Sequence, residues 1–432
     1  MRLDVYGDTL GALVTSAALA STGNQVVLHV LDDGLRTALE RGDCPFREPD
    51  LHDLLVEQVE EKRLFFSRID TPPADNSSVV FLALPPNLLS VAEDIVRQLA
   101  GLSSRSWLLV NQSTFPVGTT DSLRALFYDV AVNASDDTCQ VVSLPDTLQE
   151  GAALVSFTRP NNVILGCDSD EAEDRVREIL RPFNRRRDAI LVMRPREAEF
   201  TKLAINGMLA TRLSFMNEMA NLADVFNVDI ERVRQGIGAD GRVGEAYLYP
   251  GCGFGGLSFS RDLMSLADTL ASSGVGTALL DQVMAINEHQ KEVLFRKLWC
   301  HYGRDLSQRT VTLWGASFKP NTHRIDNAPS LRLIDSLLAQ GVRVQVHDPQ
   351  ALPEVQQRYA GVAQLVCFDD EYEALADSDA LLLVTEWKCY WQPDFARMKT
   401  LMRTPLVLDG RNIYGPESVR GHGFDYYGVG RQ

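Results

Sequence analysis

Disulfide frameworks, zinc ribbons, membrane spans and a basic charge balance are all missing from this 432-residue sequence, and each absence narrows its use. The seven cysteines, at 44, 139, 167, 252, 300, 367 and 389, contain no C-x-x-C spacing. An odd, scattered set suits a reducing compartment better than a cross-linked scaffold and offers no paired zinc ligands, so no metal site is expected. No apolar run reaches bilayer length and the N-terminus opens on a strand-like segment, so the expectation is a soluble, cytoplasmic protein without a membrane partner. A formal charge of -16 argues against nucleic acid as the main partner. Arg185-Arg186-Arg187 is the obvious basic run and reads as a solvated helix-end patch. Short-period repeats and low-complexity tracts are absent too.

What is present is an α/β pattern long enough for two or three cores. Residues 3–6 form a short apolar run, followed by a glycine-containing turn, an Ala/Leu-rich helix ending near Gly23 and a second run at 26–30. This βαβ opening belongs to a doubly wound parallel sheet. Further strand-like runs at 79–84, 107–110, 140–143 and 163–166 continue the sheet. From about 196 to 227 the pattern becomes one long helix, with apolar steps at Leu203, Met208, Leu213, Met216 and Met219, suited to a bridge between domains or a dimer core. A second series starts at 310–315 and continues at 342–346, 380–384 and 406–408. The expected organisation is two Rossmann-like domains, 1–195 and 297–432, joined by a helical domain at 196–296.

A dinucleotide turn normally reads G-x-G-x-x-G, leaving backbone free to meet pyrophosphate at a helix N-terminus. Here the turn is Gly7-Asp8-Thr9-Leu10-Gly11-Ala12. Gly7 and Gly11 are the candidate cofactor-binding residues; Thr9 crowds the middle position and Asp8 adds a like charge. Val30 stands where a ribose-binding acid is expected, with Asp32 and Asp33 just beyond. Ordinary turn residues of a decayed cofactor site outweigh tight binding, although a shifted register could use Asp32.

The densest signal is Gly251-Cys252-Gly253-Phe254-Gly255-Gly256-Leu257-Ser258-Phe259-Ser260-Arg261-Asp262, whose glycines allow close approach of backbone to a ligand. It resembles G-x-G-F-G-G-S-C-F-P-K-D of the UDP-glucose/GDP-mannose 6-dehydrogenase family. Residues 113–120 (S-T-F-P-V-G-T-T), 145–151 (P-D-T-L-Q-E-G), 198–202 with Asn206 (A-E-F-T-K…N), 217–221 (N-E-M-A-N), 238–244 (G-A-D-G-R-V-G) and 317–322 (S-F-K-P-N-T) resemble the family's other motifs, as do Glu48-Pro49-Asp50-Leu51, Thr385-Glu386-Trp387 and Asp409-Gly410-Arg411-Asn412.

The resemblance implies two Rossmann-like domains, NAD as cofactor, a UDP-glucose type of nucleotide sugar as partner, and a homodimer in which Arg242 enters the neighbour's sugar site. It implies catalytic roles at positions 258, 262 and 146, at Thr114 near the catalytic water, and at Lys202 and Asn206, which lie four apart on one helical face. Glu150, Arg242, Phe254, Gly255, Lys319 and Arg411 would hold the substrate, with Thr114 and Glu150 also facing the cofactor. Departures matter as much. Ser258 replaces the nucleophilic cysteine that captures the aldehyde between two hydride transfers, and a hydroxyl without a base is far less nucleophilic than a thiolate. Asp146 replaces glutamate, Ser260 proline and Arg261 lysine, while His323-Arg324-Ile325-Asp326 replaces D-D-x-R. The expectation is a nucleotide-sugar-binding pseudoenzyme lacking four-electron oxidation, partnering itself or an active paralogue. The alternative is an active, divergent NAD-dependent nucleotide-sugar 6-dehydrogenase making a UDP- or GDP-uronic acid.

Overall fold

A computed structural model describes all residues except 74–75, 103–105, 132–137, 186 and 432. Its chain divides into two compact units, Met1–Ala204 and Ile205–Gln432. In the first, eight strands, β1 (Arg2–Tyr6), β2 (Gln25–Val30), β3 (Leu64–Arg68), β4 (Val79–Leu82), β5 (Ser106–Asn111), β6 (Thr138–Ser143), β7 (Val163–Gly166) and β8 (Ile190–Met193), lie in the order 3-2-1-4-5-6-7-8. All neighbours are parallel except β6 and β7. Crossovers are made by α1 (Leu10–Ser21), α2 (Asp33–Glu40), α3 (Leu51–Glu60), α4 (Leu89–Ala100), α5 (Thr119–Val130), α6 (Ala153–Thr158) and α7 (Asp170–Leu180).

The 32-residue α8 (Pro195–Phe226) runs through the division between the units. Beyond it come α9 (Ile230–Ala239), α10 (Leu257–Ser272), α11 (Ala278–Gln290) and α12 (Val293–His301). The second sheet comprises β9 (Thr310–Trp314), β10 (Arg343–His347), β11 (Leu365–Cys367), β12 (Ala380–Leu383), β13 (Leu406–Asp409) and β14 (Asp425–Gly428), all parallel, ordered 11-10-9-12-13-14. The helices α13 (Pro329–Ala339), α14 (Leu352–Arg358), α15 (Phe395–Leu401) and α16 (Pro416–Gly421) complete it.

Both sheets are covered on two faces, so their central strands are apolar at consecutive positions. Val79 and Phe81 join one core with Leu108 and Val110; Val80 and Leu82 join the opposite core with Trp107 and Leu109. In the second unit Leu382 and Leu408 face one core, Leu381, Leu383 and Val407 the other. Met216, Ala220 and Ala223 pack α8 into the first of these. The strands anticipated from apolar runs are present. The four that were not, β3, β8, β11 and β14, are the four sheet edges. Met208, grouped in sequence with the apolar steps of the long helix, faces solvent instead, as do Phe215, Leu222 and Phe226.

One polar pair lies inside the first sheet. His29 Nε2 is 2.7 Å from Asp4 Oδ1, its Nδ1 is 3.3 Å from the Arg68 carbonyl, and its ring stacks on Tyr6 at 4.1 Å. Both partners are fully buried, and Asp4 Oδ2 has no partner among the described residues.

Candidate functional site

The first turn of the N-terminal sheet is tight because Gly7 takes φ +148°, and a Cβ there would lie 2.2 Å from the Ala83 carbonyl oxygen. Thr9 caps α1: its hydroxyl accepts from Ala12 N at 3.1 Å and donates to the Ala83 carbonyl at 3.0 Å. Asp146 Oδ2 sits 2.8 Å from where a Gly11 Cβ would project, so a carboxylate already lies against the helix N-terminus, where negative charge is favoured. Asp32 is spent on capping α2 through Gly34 N and Leu35 N, and Val30 is buried. Burial raises the Asp8 carboxyl above its usual range, opposed by its own backbone hydrogen bond and reinforced by the charge of Asp32. Two carboxylates, Asp8 and Asp146, therefore lie at this turn, and their charge opposes a pyrophosphate placed there.

Other acids of the first unit brace loops. Buried Glu199 accepts from Gly118 N at 2.6 Å, Thr120 N at 2.8 Å and Thr120 Oγ1 at 2.6 Å, closing the start of α5. Glu48 accepts from Gly151 N and Ala153 N at 2.7 and 2.6 Å. Between these braces lie half-buried Thr114, after β5, and half-buried Asp146 and Glu150, after β6. The amide of Asp146 reaches the Gln112 carbonyl at 3.2 Å and its Oδ1 accepts from Leu148 N at 2.8 Å. Lys202 lies half-buried on α8.

In the second unit the glycine loop is fastened almost atom by atom. Asn217 Oδ1 takes Gly251 N at 2.9 Å and Gln290 Nε2 reaches Gly251 O at 2.8 Å. Cys252 N donates to the Gly410 carbonyl at 2.9 Å. The Asn287 amide reads both backbone groups of Phe254, at 2.8 and 3.0 Å. Glycine is needed here for approach to protein: a Cβ at Gly255 would meet Asn327 O at 2.6 Å, and one at Gly256 the Phe318 ring at 2.8 Å. At those two positions the missing Cβ makes room for the protein's own chain. Arg411 donates from Nε to the Val384 carbonyl at 2.7 Å and from a terminal nitrogen to Gly253 O at 3.3 Å, beside Glu386.

Two sequence candidates come together directly. Asn206 Nδ2 donates to Asp262 Oδ2 at 2.7 Å, both side chains buried. Ser258 lies one turn before Asp262 on α10, exposed, and its hydroxyl has no hydrogen-bond partner among the described residues. The positive end of a helix would lower a thiol's pKa at this position, but a hydroxyl starts several units higher. Cys252, the sulfur within the same loop, is fully buried against Val384 and Gly410, and burial pushes its thiol up. It is a core residue and no replacement nucleophile. Arg242 stands 90% exposed, held by a two-point contact to Asp240 at 3.0 and 2.7 Å that lowers the aspartate's pKa. Lys319 lies half-buried with its ammonium over Phe318.

Sequence reasoning gave no role to Asp348, at the end of β10. Its Oδ2 accepts from Ala316 N, Ser317 N, Ser317 Oγ and Trp387 Nε1, its Oδ1 from Gln350 N and Ala351 N. Asn287 and Gln290 on α11 and Lys291 at its C-cap were also missed, although the last two lie three and four residues after the first.

Comparison with known proteins places these features in one lineage. The UDP-glucose/GDP-mannose dehydrogenase family profiles match in all three parts: NAD binding domain at 1–184, central domain at 196–289 and UDP binding domain at 312–416. The chain belongs to this family. Its relatives include UDP-glucose 6-dehydrogenases of Pseudomonas aeruginosa, 40% identical with all of this chain and 98% of the relative aligned, and of Rhizobium meliloti, 33% identical over the whole of both. Among solved structures, a UDP-glucose dehydrogenase from the archaeon Pyrobaculum islandicum superposes with a TM-score of 0.86 at 27% identity, covering 100% and 98% of the two chains. The N-terminal unit thus carries the family's NAD-binding domain and the C-terminal unit its UDP-binding domain. Among the described residues no helix is long and apolar enough to cross a membrane, and no cluster of metal-ligating side chains occurs.

Proposed function

We propose that this family member binds a nucleotide sugar of the UDP-glucose type in a site walled by the loop at 251–256 and does not carry out the four-electron oxidation of its relatives. The observation that carries this is the state of residue 258: an exposed serine whose hydroxyl has no hydrogen-bonded base among the described residues, in a loop whose cysteine, Cys252, is locked in the core. Without a sulfur nucleophile an aldehyde has no covalent hold between hydride transfers. The crowded turn at Gly7–Gly11 weakens the cofactor side in the same direction. Arg411 and Lys319 would meet phosphate and sugar oxygens, and the buried Asn206–Asp262 pair would border the sugar.

The second reading is an active, divergent NAD-dependent nucleotide-sugar 6-dehydrogenase, favoured by the 40% identity to a UDP-glucose 6-dehydrogenase over the entire chain. Incubating the protein with NAD and a panel of UDP- and GDP-sugars separates the two. Our reading expects UDP-glucose to raise the melting temperature while NADH stays at background. Two NADH per sugar consumed would sink it.

The three-domain division at 1–195, 196–296 and 297–432 is supported by the three matched segments. Met208, Phe215, Leu222 and Phe226, exposed at steps of seven and four on α8, support a homodimer through that face, with Arg242 directed to the neighbour. An active paralogue is the other partner this face would suit. The composition supports a cytoplasmic setting and a place in polysaccharide synthesis follows the relatives' chemistry.

A further inference from the structure

Residue 260 is serine where the family resemblance has proline, and the structure provides something in the ring's place. Asn327 Nδ2 donates to Ser260 Oγ at 2.8 Å, tying the first turn of α10 to the loop before α13. The orientation of that amide is itself fixed, because Asn327 Oδ1 accepts from Lys291 Nζ at 2.6 Å. Lys291 is an unusual anchor. Its side chain is 2% exposed, its ammonium also reaches Glu288 at 2.6 Å, and its stem lies beneath Gly253, whose Cβ would come 3.0 Å from Lys291 Cγ. A second tie runs through backbone, from Gly256 N to Asp326 O at 2.8 Å. By contrast the bond within the helix at this point is stretched, Ser260 N to Gly256 O at 3.4 Å, and Gly256 provides no side-chain cap.

A proline at this position would fix φ and give up only the stretched bond from residue 260 N to Gly256 O. A serine at that position leaves the turn freer and must be held from outside. We propose that Lys291 and Asn327 are positioning residues that hold the first turn of α10, and so set the placement of Ser258 and Asp262. The buried ammonium orients the Asn327 amide, and the amide clamps Ser260. The consequence for ligand binding rests on the nucleotide-sugar reading above; the clamp itself does not.

Backbone hydrogen exchange tests the clamp without ligand. Ser260→Ala removes the acceptor at a surface position, and Lys291→Met keeps the packing under Gly253 while removing the ammonium. Each is expected to speed exchange of the amides at 258–262 about fivefold, the factor for one hydrogen bond of about 1 kcal/mol. In a Ser260→Pro background, which has no amide at 260, the Lys291→Met effect on the amides of 258, 259, 261 and 262 should fall below about twofold. Unchanged exchange in both single variants overturns the proposal, as does a Lys291→Met effect that persists beside Ser260→Pro. Titration with UDP-glucose adds a functional reading: both single variants should bind about fivefold more weakly, with Ser260→Pro restoring affinity to Lys291→Met. Failure of the parent protein to bind UDP-glucose refutes the site assignment, while the exchange data still decide the clamp.

Discussion

The two sheets share one strand order, 3-2-1-4-5-6 counted from each unit's first strand, yet spend their first turn in opposite ways. In the N-terminal sheet only residues 7–9 separate β1 from α1, so the helix N-terminus stands directly over the strand ends. In the C-terminal sheet residues 315–328 intervene between β9 and α13, and that long loop is consumed by contacts with Asp348, Gly256 and Ser260. The aspartates after the second strands differ too: Asp32 is an exposed helix cap, Asp348 a buried acceptor of six donors. A shared topology therefore offers the same crevice twice, and the chemistry available there depends on which backbone groups the loops have already used.

The contrast can be broken most forcefully at Asp348. Asp348→Ala orphans buried donors on three loops, each costing about 1–3 kcal/mol, so the second unit should lose about 4 kcal/mol or more in urea unfolding. A loss near 1 kcal/mol would show that the carboxylate is not the organiser described here. A smaller effect should appear at the crowded N-terminal turn. Asp146→Asn removes a carboxylate from the mouth of α1 and should tighten NADH binding about tenfold, about 1.4 kcal/mol, measured by nucleotide fluorescence. The Asp8 carboxyl is raised in the folded chain, so its contribution to stability is present below its unfolded pKa and is lost as pH rises through the folded value. Dinucleotide affinity should accordingly increase as pH falls through that raised value, and Asp8→Asn should flatten the profile; a flat profile in the parent would remove Asp8 from the account. Smallest is Asp32→Ala, an exposed cap worth about 1 kcal/mol, seen as faster amide exchange in α2 and leaving the second sheet unchanged.

Much of this was legible in sequence where residues act through their own chain segment. Central strands announce themselves because both faces are buried; the edge strands β3, β11 and β14 escaped because they are short or interrupted by polar residues, and β8 although its four residues are all apolar, with Leu191 and Val192 exposed. Asn206 and Asp262 were each singled out in the sequence, but the hydrogen bond that joins them spans 56 positions and no spacing encodes it. The glycines at 255 and 256 were visible as a need for closeness, while what they are close to, Asn327 and Phe318, lies in a different part of the chain. Lys291 was invisible for a related reason: a lysine in an acidic, amphipathic stretch reads as solvated until its head is found between Glu288 and Asn327.

The Asp4–His29 pair carries an implication for descent. Deleting either partner alone leaves a buried polar group without its hydrogen bond, at a cost of about 1–3 kcal/mol, whereas exchanging both for apolar residues of the same shape is often nearly neutral. Single steps away from the pair therefore cross a deep valley, while a simultaneous double change does not. Such a pair is thus held in place by the difficulty of losing it one residue at a time.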